Sequence, residues 1–141
     1  MTRPPSIVRF ELCYLGALAI GAVNSALNWS RYLAMPAVRD AQVTIGAWYL
    51  PTITVAGFLI PIALWYFAAR RGSVVAKWIV VVLFGFGAFG LLAGFALGSM
   101  APGLGAVLSV ATFVLNAVAV WMLFRVDARA WFGETETETV A

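Results

Sequence analysis

The sequence contains no histidine and a single cysteine, Cys13. Without histidine the chain lacks the commonest metal ligand, the usual axial ligand of haem and the usual general base. One cysteine can form neither an intrachain disulfide nor a thiolate cluster for zinc or iron–sulfur, so Cys13 reads as a small apolar residue near a helix start. Charge is scarce too. Only 11% of residues are charged and 63% are hydrophobic, whereas soluble domains carry about 25% charged residues. Nucleophile and phosphate-loop patterns (G-x-S-x-G, G-x-x-x-x-G-K-[ST]) are missing. Residues 85–90, G-F-G-A-F-G, spell G-x-G-x-x-G. They lie inside a charge-free span with no strand unit before them and no acid about 20 positions on, which excludes a dinucleotide site. The basic residues flank apolar runs and form no patch, so nucleic acid is not an expected partner. No cofactor, no metal and no enzymatic chemistry is expected.

What the chain has is long apolar runs. Between Lys77 and Ser99 there is no charge. At 1.5 Å per residue, 21 residues cover about 31 Å, the thickness of a bilayer's hydrocarbon core. Gly87, Gly90, Gly94 and Gly98 lie within about 80° of one another on that helix, a flank that lets a neighbouring backbone come close. Three further runs complete an all-α bundle of four transmembrane helices, at about 10–29, 47–69, 77–98 and 104–124, in a single domain spanning 1–133. The positive start at Arg3 and Arg9 followed by an apolar run has the form of a signal peptide, and is read as a retained first helix.

On that first helix Ala17, Gly21, Asn24 and Asn28 share about 60° of arc. Amides are costly against lipid, so this face is expected to meet protein. On the fourth helix Gly105, Ser109, Thr112 and Asn116 form a similar face. On the second, Thr54, Gly57 and Pro61 share a side; Pro61 removes a hydrogen bond to Gly57 and predicts a kink turned toward protein. Residues 30–45 form the longest connection, held out of the hydrocarbon by Pro36, Arg31, Arg39 and Asp40, with Trp29, Tyr32, Trp48 and Tyr49 as an aromatic belt. Residues 70–77 read as a basic turn, 99–103 as a tight uncharged link, 125–133 as a short interfacial segment, and 134–141 as a disordered acidic tail.

Four polar positions are candidates for function: Glu11, Asn24, Asn28 and Asn116. Glu11 is either a proton-coupled carboxylate or a first-turn acid near Arg9 that favours the positive end of the helix dipole. The three asparagines either line a small polar cavity or join helices, at roughly 0.6 kcal/mol each. Seven Lys and Arg residues flank one side of the bundle (3, 9, 70, 71, 77, 125, 129) and two the other (31, 39). That asymmetry predicts both termini in the cytoplasm.

The segments R-R-G-S-V-V-A-K-W-I-V-V-V-L and D-A-R-A-W-F resemble small four-helix inner-membrane proteins of bacteria, a likeness that implies fold and location. Two other families share the size. Small multidrug resistance transporters carry a helix-1 acid after a Y-L-G-x-x-I-x-x-E run; here Y-L-G at 14–16 follows Glu11. GtrA-like polyprenyl-linked sugar flippases are echoed by Arg9, Phe10, Gly21 and Asn24, without their F-x-x-N-R signature. The reading that results is a non-enzymatic membrane protein whose partners are the lipid bilayer and either further copies of itself or a larger membrane complex. The alternative is a small transporter or a flippase of lipid-linked substrates.

Overall fold

A computed structural model describes residues 3–98 and 103–134. All regular structure among them is helical: α1 (Pro5–Leu27), α2 (Trp29–Ala34), α3 (Pro36–Ile45), α4 (Tyr49–Arg71), α5 (Val74–Ala96), α6 (Leu104–Met122) and α7 (Val126–Trp131). Four of these, α1, α4, α5 and α6, are long and apolar enough to cross a membrane. The chain is a multi-pass, all-α membrane protein.

Helix α1 begins five residues before the expected start. Pro5 stands in its first turn, where a missing N–H costs nothing and the fixed φ suits a helix. The 30–45 connection is itself helical. Pro36 divides it. The residue before a proline is pushed out of the α region, and Met35 is extended (φ −66°, ψ 130°), so α2 ends at Ala34 and α3 starts on Pro36 itself. The basic turn also shrinks to two residues. Gly72 caps α4 in the left-handed region (φ +59°). The Ser73 N–H bonds Phe67 O at 3.0 Å, and Ser73 Oγ then accepts from Ala76 N at 3.3 Å to open α5. A side chain at Gly72 would be strained by that φ and would place Cβ 2.6 Å from the Trp131 carbonyl oxygen. Helix α4 runs unbroken through Pro61. Of the expected link at 99–103 and tail at 134–141, residues 99–102 and 135–141 lie outside the described residues.

Helices α1 and α6 pack antiparallel along their length. Ser6 meets Asp127, Gly16 lies 3.8 Å by its Cβ direction from Leu115, and Asn24 meets Ser109. Each step up α1 is matched by about one step down the C-terminal stretch. The buried core is gathered at one end of the bundle, where α1 and α5 begin and α4 and α6 finish. Ile7, Phe10, Ala68, Ala76, Val80 and Leu123 are among its residues, and α7 closes it with Ala128 and Phe132. Toward the α2–α3 end burial thins to isolated residues such as Leu50 and Gly105. The core is thus sealed at the α7 end and loose toward the α2–α3 end.

Candidate functional site

The sealed end is tied by polar links that α7 and its flanks bring together. Ser6, buried, donates its hydroxyl to Asp127 Oδ1 at 2.7 Å and its N–H to Asp127 Oδ2 at 3.1 Å. That hydroxyl bond holds the Asp127 carboxyl below its ordinary range. Trp131 Nε1 donates to Ala68 O at 3.2 Å, one of the last carbonyls of α4 that no turn of its own helix can satisfy. Lys77 is 1% exposed. Its Nζ lies 2.6 Å from Glu134 Oε2 and sits over the rings of Phe124 and Phe132, at 4.6 and 5.1 Å. Sequence reasoning missed this lysine as a buried group, because its partner is 57 positions away in the segment assigned to the tail.

Glu11 belongs to the same end. It is not in the first turn, because α1 starts at Pro5. Its partners are Arg3 Nη1 at 2.6 Å and Arg70 Nη2 at 3.1 Å, not Arg9. The Arg70 guanidinium also lies 5.6 Å from the Trp65 ring centre. Glu11 joins the start of α1 to the finish of α4 at the rim.

Deeper in the bundle the polar residues divide into two groups. Asn24 Nδ2 donates to Ser109 Oγ at 3.1 Å, and Ser109 Oγ in turn donates to Gly105 O at 2.9 Å. The Asn28 amide donates back to Asn24 O and Oδ1, at 2.9 and 2.8 Å. These three form one network across α1 and α6. Asn116 stands apart, two turns further along α6, with Nδ2 donating to Thr112 O at 3.0 Å.

Asn116 lines a half-open cleft of about 250 Å³ between α1, α4, α5 and α6. Tyr14, Pro61, Gly87 and Thr112 contribute one wall each, and Phe84 stacks on Phe113 (centroids 5.3 Å, 20°) where α5 meets α6. Two glycines of the flank expected to receive a helix, Gly87 and Gly90, stand beside open space. Gly87 faces the cleft, and a Cβ at Gly87 or Gly90 would meet nothing within 4 Å. Thr54 and Gly57 line a separate groove with Ser25, Tyr32 and Val38 toward the α2–α3 end. No charged residue lines the cleft, and among the described residues no three His, Cys, Asp or Glu stand together as a metal site. The cleft can form hydrogen bonds; its lining holds no acid–base pair. No family model matches this chain, and no similar protein was found among curated sequences or solved structures.

Proposed function

We propose that this is a non-enzymatic protein of the bacterial inner membrane, with both termini in the cytoplasm, that works by helix contact inside the bilayer. It acts as a homo-oligomer or as an accessory subunit of a larger complex. The observation that carries this reading is the outer side of α5. The buried residues of α5, Ala76, Lys77 and Val80, all lie in its first two turns. Beyond them Gly85 forms the floor of a notch between Val82, Phe86 and Phe89, roughly opposite Gly87 around the helix. A Cβ at Gly85 would meet nothing. Lipid tails gain little from a glycine, whereas a neighbouring helix gains a close backbone approach. The cytoplasmic placement rests on the seven-to-two cation asymmetry.

The test is disulfide cross-linking in native membranes. With Cys13→Ser as background, Phe86→Cys is expected to give a cross-linked species that Val107→Cys, exposed on α6, does not. Gly85→Leu is expected to suppress it at least fivefold. A band of twice the chain's mass marks a homo-oligomer and a heavier hetero-band an accessory subunit. No band at either position, with no co-purifying protein in mild detergent, overturns the reading. A reporter fused to Ala141 that is active outside the cytoplasm overturns the orientation.

A further inference from the structure

The inner side of α5 points to a second role, independent of the contact proposed at Gly85. We propose that the cleft between α1, α4, α5 and α6 binds an uncharged, single-chain amphiphile: a lipid-soluble molecule with a hydroxyl or carbonyl oxygen on a slender apolar body.

Three polar groups in the wall have no protein partner. Tyr14 is 6% exposed, and among the described residues nothing hydrogen-bonds its hydroxyl. Thr112 Oγ1 is buried without a partner. Asn116 uses its amide N–H on Thr112 O, which leaves Oδ1 with no donor among the described residues. In a bilayer's hydrocarbon core an unpaired polar group is costly. Tyr14, Thr112 and Asn116 all stand in the wall of one cleft, the Tyr14 hydroxyl and Asn116 Oδ1 open to it and unpaired, while Asn24, Asn28 and Ser109 satisfy one another nearby, which indicates a site completed from outside the chain.

The rest of the wall decides what completes it. Leu18, Leu83, Leu91 and Val120 surround the hydroxyls, with the Phe84–Phe113 stack beside them. Water settles in cavities that offer each molecule two to four polar partners, and this lining is mostly apolar. An amphiphile uses both parts of the wall. The volume of about 250 Å³ falls just under the range of drug-sized pockets, about 300–1,000 Å³, so the occupant is slim. The lining carries no charge, and an ionised headgroup there would be unpaired. Gly87 supplies the width: with no side chain at that point, α5 leaves room beside Pro61 and Thr112.

The experiment uses the full chain in phosphatidylcholine vesicles with a diazirine-bearing hexadecanol as photoprobe, and the matching hexadecanoate at pH 8 as charged comparator. Adducts are mapped by mass spectrometry. Hexadecanol adducts are expected on Leu83, Phe84, Leu91 and Phe113 at least fivefold over Val107 on α6 and Leu59 on α4, both exposed and away from the Gly85 notch. Tyr14→Phe keeps the side-chain shape and removes one hydrogen-bonding group that the cleft can reach, for an expected three- to tenfold loss of cleft adducts, about what one hydrogen bond supplies. Gly87→Leu narrows the cleft and is expected to abolish them while the chain keeps its helicity, since a Cβ at that position meets nothing within 4 Å. Equal labelling inside and outside the cleft overturns the site. So does insensitivity to both substitutions. Equal cleft labelling by hexadecanoate overturns the claim that the ligand is uncharged.

Discussion

Phe10 and Phe89 occupy similar apolar helices, yet Phe10 is fully buried and Phe89 is 73% exposed. The difference follows the two regions of the molecule. Around Phe10, four helix ends and α7 converge; Tyr14 lies 5.2 Å away ring to ring, and Asp127, Trp131 and Glu134 each tie α7 or its flank to a different helix. Phe89 lies on the outward face of α5, beside Gly85. In lipid both rings are equally well solvated, so the hydrophobic effect does not separate them. What distinguishes the sealed end is packing and hydrogen bonding, and those are the quantities that substitutions should expose.

The largest contrast is expected from truncating these two rings. Phe10→Ala leaves a cavity in the sealed end and is expected to lower stability by about 3 kcal/mol. In the monomeric chain Phe89→Ala is expected to change it by less than about 0.5 kcal/mol, as surface changes do. Reversible unfolding in mixed micelles measures both. Equal effects would mean that the two regions are not packed differently.

Lys77 sharpens the comparison next. A buried ion pair is worth little against an apolar replacement of both partners, but removing one partner strands the other charge. Glu134 is about one-third exposed, so water moderates the effect. Glu134→Gln is expected to cost about 1–2 kcal/mol. Lys77→Met, which keeps the stem in the Phe124–Phe132 pocket and removes the charge, is expected to cost less than Glu134→Gln. The same micelle titration ranks them. The reverse order would make the aromatic rings, rather than Glu134, the lysine's main support.

These contrasts show which parts of the molecule were legible beforehand. The four spans follow from runs without charge, and helical periodicity put Asn24 and Ser109 on the faces through which α1 and α6 meet. Side-chain period reports which residues share a face; it does not report what lies opposite. Gly87 and Gly90 illustrate the limit, since a missing side chain marks a close approach and an open volume in the same way, and here the volume is open. Helices α2 and α3 were hidden because charge and Pro36 are loop signals, although a proline at a first helical turn is also a start signal. The Lys77–Glu134 and Ser6–Asp127 links join residues 57 and 121 positions apart, and no local pattern encodes such pairs.

The smallest expected effect tests whether α7 is held at the sealed end by charge. The Ser6 hydroxyl and N–H favour the ionised form of Asp127, with the Arg125 charge adding to them, so its carboxyl titrates lower in the folded chain than in the unfolded one. A group depressed in this way contributes stability above its unfolded value, about 3.9, and loses that contribution as pH falls through the lower, folded value. Protonation leaves the bond to the Ser6 N–H weaker and turns one carboxyl oxygen into a donor beside another donor. From pH 7 to about 5 the amide of Ser6 is therefore expected to keep its hydrogen-exchange protection, and below about pH 4 to lose it, while amides in mid-α6 do not change. In Asp127→Asn, which retains an acceptor oxygen and has no charge to titrate, the protection is expected to be lower at pH 7 and flat across the same range. A wild-type profile as flat as that of the variant would show that α7 is seated by Trp131 and Phe132 rather than by the carboxylate.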